Sequence, residues 1–158
     1  MPSGSAVLSN LVKSLFIGGR FGVEPHFPGN HAKEDEMDMK LELVAVPVAD
    51  VDRAKAFYVE QVGFNVDHDH VVSEEIRFVQ LTPPGSACSI AIGKGVTKAA
   101  PGSVEGLQLV VEDADAVRTE LLGRGVEASE VQEFPWGRFV FFSDPDGNAW
   151  SVQELTPR

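Results

Sequence analysis

The sequence predicts an α+β fold built from two tandem βαβββ units. Three observations predict it. A strand-then-helix stretch, "LELVAVPVADVDRAKAFYVEQVGF", recurs 63 residues later as "VEGLQLVVEDADAVRTELLGRGVE". Each copy has acidic residues where its helix would begin and a glycine where it would stop. Each is followed by two apolar runs around a turn, "IRFVQLTPPGSACSIAIG" and then "GRFVFFSDPDGNAWSVQEL". Strand, capped helix and hairpin returning in one order signal a repeated supersecondary unit.

The elements follow in order. Residues 1–38 differ from the rest. Val7, Leu8, Leu11, Val12, Leu15 and Phe16 recur at helical spacing, which predicts a short amphipathic helix. The first residues carry no Lys or Arg, Lys13 interrupts the apolar run and no A-x-A site follows, so a helix is expected there and not a leader. A Gly-, Pro- and charge-rich stretch then reads as an arm or linker. It carries His26 and His31, expected to be solvated. The domain is expected at 39–158, with modules at about 39–97 and 103–156.

Within each module, Val48-x-Asp50-x-Asp52 aligns with Val111-x-Asp113-x-Asp115. Asp50 and Asp113 suit helix N-caps; Asp52 and Asp115 suit the first turn, where the helix dipole favours negative charge. Gly63 and Gly125 suit the helix stops. Residues 65–72 and 126–132 are each expected to add a strand before the hairpin. The turns are Pro83-Pro84-Gly85 and Asp144-Pro145-Asp146-Gly147-Asn148, rich in residues that fix φ, allow φ > 0 or bond back to the backbone.

The totals bound the function. The chain has 158 residues, 43% hydrophobic and 23% charged, as an ordinary globular domain with an arm would. A net charge of −11 argues against nucleic acid, whose phosphates need clustered Lys and Arg, and is compatible with a cationic ligand. Cys88 is the sole cysteine, so no intrachain disulfide forms and a reducing cytoplasm is expected. No apolar run reaches the length of a membrane helix, so no membrane partner is expected.

The repeat, with "VPVADVDRAKAFYVEQVGF", "LVVEDADAVRTELLGRGV" and "FFSDPDGNAWSVQEL", resembles the vicinal oxygen chelate superfamily over residues 39–155. That superfamily holds glyoxalases, bleomycin-resistance proteins and extradiol dioxygenases. The resemblance implies two modules forming a cupped mixed sheet around a cleft, helices outside, often completed across a homodimer. Metal-dependent members place a His seven residues before each helix-capping Asp and a Glu seven after the first Asp of the D-P-D-G-N turn. The matching positions here are Leu43, Gly106 and Ser151. Leucine and glycine side chains cannot bind a metal and a neutral hydroxyl binds poorly, so no metal or other cofactor is expected. His68, His70 and Glu154 are the spare metal candidates: two histidines two apart on an extended segment just outside the expected cleft strands, and a carboxylate that only a register slip would turn inward.

Alternation sends Leu43, Ala45, Gly106, Gln108, Val110, Ala149, Ser151 and Gln153 to the cleft, with Trp150 and Val152 toward the helices. Such a wall of small and apolar residues with two amides and a hydroxyl suits a mostly apolar ligand. The two glutamines could equally bond each other or backbone. Trp136, in a Pro-Gly turn, is either a lid over the cleft or a plug on the edge. Arg77 and Arg138 open equivalent strands and either clamp an anion or form surface ion pairs. No G-x-S-x-G elbow is present and Cys88 lies in an apolar run, so nucleophilic catalysis is not indicated.

The expected function is binding or sequestration of a small hydrophobic or cationic molecule, without metal, by a homodimer. The alternatives are a glyoxalase-like lyase, isomerase or dioxygenase with an unorthodox metal site or none, and an interaction protein working through the arm.

Overall fold

The computed structural model describes residues 37–156. The predicted arm helix, His26 and His31 lie outside the described residues. Both repeats fall in one compact unit, Glu42–Arg158.

The element order is that of two βαβββ modules. The first holds β1 (Leu43–Ala45), α1 (Val51–Ala56), β2 (Asn65–Val71), β3 (Arg77–Thr82) and β4 (Ser89–Lys94). The second holds β5 (Leu107–Val111), α2 (Ala114–Gly123), β6 (Gln132–Phe134), β7 (Gly137–Ser143) and β8 (Ala149–Glu154). Each module makes a four-stranded sheet, in the orders β1-β4-β3-β2 and β5-β8-β7-β6. In both, the first strand pairs parallel with the last and the other pairs are antiparallel. A parallel pair cannot be joined by a hairpin, so each helix supplies part of the crossover.

The helix signals act as the sequence predicts. Asp50 caps α1 by accepting from the Arg53 amide at 3.0 Å, and Asp113 caps α2 by accepting from the Ala116 amide at 3.0 Å. Gly63 and Gly125 adopt positive φ just past the helical segments. The modules differ first at the end of this helix. α1 runs on into a π-helical stretch, Phe57–Val62, closed by the Gly63 and Phe64 amides on the Tyr58 carbonyl.

A second difference corrects the expected strand at 126–132. The third-from-last strand starts only at Gln132. Val126 and Ala128 instead pack on the core, and Ser129 bonds Phe141 through both its amide and its hydroxyl. Core burial of this segment replaces ladder pairing until residue 132.

Val79, Leu81, Ile90 and Ile92 from the first sheet and Val140, Phe142, Trp150 and Val152 from the second join Ala54, Phe57, Tyr58, Ala114 and Leu121 in one core. Both sheets therefore turn one face to the helices and the shared core. The modules are also bonded across. Tyr58 donates its hydroxyl to Asp144 at 2.8 Å and accepts from the Trp150 indole at 2.9 Å. Asn148 donates to the Pro47 carbonyl at 2.8 Å, and Asp146 accepts from the Ala49 amide at 3.1 Å. The Asp-Pro-Asp-Gly-Asn turn thus serves as the joint between the repeats. Burial, then the nearby Asp144 carboxylate, pushes the Tyr58 hydroxyl far above the usual phenol range, so it stays a donor.

On the helix side of the first module, Arg77 bridges Asp69 at 3.0 Å and Asp52 at 2.8 Å, and Lys55 reaches Asp69 at 2.8 Å. Hydrogen bonds from Arg77 hold the Asp69 carboxyl down to about 2. A depressed pKa stabilises the fold fully above the unfolded carboxylate value of about 4, and the gain is lost as pH falls through the folded value. Asp69→Asn is therefore expected to cost about 1 kcal/mol at pH 7, after screening at this half-buried site is discounted. The gap from wild type should narrow below about pH 4 in denaturant titrations run across pH. A gap that stays constant down to pH 3 would remove the ion pair as the cause.

Candidate functional site

The faces opposite the shared core are set by strand register. In the second module, Gln108 lies beside Ser151, and Val110 beside Gln153. Phe139 lies opposite Gln153, and Phe141 opposite Ser151. These positions alternate with the core positions Leu109, Val140, Phe142, Trp150 and Val152, so they share the opposite face.

A polar chain runs along it. The Ser151 hydroxyl donates to the Gln108 carbonyl at 3.3 Å, the Gln108 amide donates to Gln153, and the Gln153 amide donates to the Trp136 carbonyl at 3.1 Å. Both fates foreseen for the glutamines are realised: they bond each other and backbone. An aromatic row runs beside the chain. Trp136 stacks on Phe134 at 5.4 Å and 14°, Phe134 meets Phe139 edge-on at 5.6 Å, and Phe139 stacks with Phe141 at 6.0 Å. Trp136 is 62% exposed, Phe141 39% and Phe134 38%. A contiguous exposed apolar patch on a small protein marks a binding surface more often than an isolated exposed side chain does.

Sequence reading missed Phe134 and with it the continuity of the row. The signal was present: Phe134 ends β6, Trp136 is the second residue of the two-residue β6–β7 turn, and Phe139 and Phe141 continue at period two in β7. Trp136 is too exposed to be a plug and forms the outer end of the stack.

In the first module, Leu43 and Ala45 lie beside Ser89 and Ala91, and Gln80 lies opposite Ala91. All are on the face away from the core. Gly106 sits just before β5 with φ +82. A Cβ there would meet no atom within 4 Å, but the left-handed backbone disfavours any residue larger than glycine.

Two placements correct the expected site. Arg77 and Arg138 turn to the helix face. Arg77 pairs with Asp69 and Asp52, and Arg138 with Asp115 at 2.8 Å, Glu154 at 3.2 Å and Glu133 at 3.3 Å. They serve as the ion-pair alternative had it, not as an anion clamp on the ligand face. Glu154 faces the helix, as alternation without a register slip has it, and accepts from the Ala114 amide at the start of α2 at 2.8 Å, so it is spent as a helix-capping group. His68 and His70 lie in β2, the strand expected at 65–72, opposite Gln80 and Phe78 on the face away from the core.

The metal implied by metal-dependent relatives does not fit the residues present. Leu43 offers no donor, Gly106 has a backbone that resists a histidine, and the Ser151 hydroxyl is bonded to Gln108. Among the described residues, no group of three or more His, Cys, Asp or Glu is arranged to hold a metal. Burial pushes the Cys88 thiol up, away from the reactive thiolate.

Residues 40–152 match the model of the Glyoxalase/Bleomycin resistance protein/Dioxygenase superfamily. The chain belongs to that superfamily. The solved structure of TnmS3, an antibiotic-binding protein from Streptomyces sp. CB03234, is 37% identical, covers 77% of this chain and 100% of its own, and superposes with a TM-score of 0.70. A glyoxalase/bleomycin resistance protein from the same organism is 38% identical over 72% of this chain and 99% of its own, with a TM-score of 0.65. An uncharacterized Bacillus subtilis (strain 168) protein, YetH, is 31% identical over 75% of this chain and its full length. The glyoxalase/bleomycin-resistance fold accounts for the repeated modules and the strand orders. It does not choose among the chemistries that the superfamily hosts. No helix among the described residues is long and apolar enough to cross a membrane.

Proposed function

We propose that this superfamily member binds and sequesters a small, mostly apolar molecule, neutral or cationic, on the second module, without metal taking part. The aromatic row from Trp136 to Phe141, bordered by the Ser151–Gln108–Gln153 chain, carries this reading. Stacked rings offer a flat apolar surface, and the amides orient a ligand by a few hydrogen bonds. An exposed indole face also attracts a cation, as does a net charge of −11. Similarity to an antibiotic-binding protein supports the same class of activity. The hydroxyl and amides on this face do not titrate near neutral pH, so the face is better equipped to hold a molecule than to move a proton. The protein is read as a cytoplasmic homodimer, and sedimentation analysis tests its assembly.

The test is a titration of the full chain with planar aromatic probes, a cationic acridinium dye and a neutral pyrene, followed by tryptophan fluorescence. Micromolar binding that survives excess EDTA is expected. Absence of binding by both probes, or binding abolished by EDTA, overturns the reading.

A further inference from the structure

We propose that the first module carries a transition-metal site formed by His68, His70 and the amide oxygen of Gln80, separate from the ligand surface of the second module. Three observations converge on it.

A β-bulge lies between Val66 and His68, where the register to β3 shifts by one residue. Before it, Val66 pairs with Leu81 of the core; after it, His68 pairs with Gln80 and His70 with Phe78. The extra residue, Asp67, bonds Thr82, which shares the Gln80 face. The bulge thus brings both imidazoles onto that face, while Asp69 between them turns to Arg77 on the other.

The two rings lie 5.6 Å apart, centroid to centroid, at 29°. A metal bonded to a ring nitrogen at about 2.1 Å sits roughly 3.2 Å from that ring's centroid, so one ion spans this separation once the rings tip toward each other.

The third observation is an orphan. Gln80 is only 6% exposed. Its amide nitrogen donates to Ser89 at 3.1 Å, but its amide oxygen has no hydrogen-bond partner among the described residues. A buried acceptor left open is unfavourable, and a bound cation would satisfy it. The strand residue directly opposite it is His68.

Two imidazoles and one amide oxygen suit Ni²⁺, Cu²⁺ or Zn²⁺ and not Mg²⁺, which prefers an all-oxygen shell; water completes the coordination. This donor set shares no residue with positions 43, 106 and 151.

The experiment is calorimetric titration of the full chain with Ni²⁺ and Zn²⁺, with Mg²⁺ as control. One Ni²⁺ or Zn²⁺ per chain is expected, with no Mg²⁺ heat. His68→Ala and His70→Ala should each weaken binding at least about tenfold, and together abolish it. Gln80→Glu replaces an amide oxygen with a charged one and should tighten binding, a gain that a purely structural glutamine would not produce. His26→Ala with His31→Ala should change nothing. Acridinium binding should persist in the His68/His70 double variant, which keeps this site distinct from the second-module surface. Absence of Ni²⁺ and Zn²⁺ binding, its loss with His26 and His31, or weaker binding in Gln80→Glu overturns the proposal.

Discussion

Asp144→Ala is expected to lower stability by about 3 kcal/mol, roughly 10 °C in Tm for a domain of this size. Asp144 is 5% exposed and accepts four hydrogen bonds: from the Tyr58 hydroxyl at 2.8 Å, the Asn148 side-chain amide at 2.7 Å, and the Asn148 and Asp146 backbone amides at 2.9 and 3.0 Å. Alanine leaves all four donors facing nothing. An unmade buried bond costs more than a made one contributes, because the stranded group has given up water. Tyr58→Phe removes one of the four and leaves the Trp150 indole without its acceptor, at a cost of about 2 kcal/mol. The two changes remove the same bond, so the double variant should cost clearly less than the sum. Urea titration of the four proteins gives the answer. Strict additivity, or a loss under about 1 kcal/mol for Asp144→Ala, would show that the joint is not held by this carboxylate.

The second large effect is on binding. Trp136→Ala is expected to weaken acridinium or pyrene binding about tenfold, and Trp136→Ala with Phe141→Ala about a hundredfold, since exposed aromatic anchors carry most of the energy of such surfaces. Both rings are exposed, so each single change should move stability by no more than about 0.5 kcal/mol. Trp136→Phe keeps a ring to stack on Phe134 and should retain most of the affinity. Fluorescence polarisation of the bound dye reads all four proteins. Affinity unchanged in the double variant would move the ligand to another surface.

The repeat and its capped helices were legible because they are local. Asp50 and Asp113 cap through amides three residues on, and Gly63 and Gly125 need only their own backbone. Alternation also placed Gln108, Ser151 and Gln153 together, since each lies in an unbroken ladder. The two arginines were misplaced although the parity was visible: Arg77 shares it with Val79 and Leu81, and Arg138 with Val140 and Phe142. Their role was inferred from matched positions when counting from the core would have turned them to the helices. The face the histidines take was illegible for a different reason. A bulge at Asp67 leaves no mark in composition or spacing, so β2 could not be registered against β3 from the sequence. The Tyr58 joint was out of reach because its partners lie some ninety residues away in the other repeat.

The joint also divides the fortunes of two hairpins that hold equivalent places. The Asp144–Asn148 tip is bonded to Tyr58, Pro47 and Ala49, whereas in the Pro83-Pro84-Gly85 tip the residues Pro84 and Gly85 are exposed, and a side chain added at Gly85 would touch nothing. The Pro83-Pro84-Gly85 tip is therefore free to lengthen and drift, and a peptide tag spliced between Pro84 and Gly85 should be carried without harm. The same tag between Pro145 and Asp146 would prise the halves apart. Hairpins in equivalent places thus face opposite constraints, one a site open to insertion and the other closed to it.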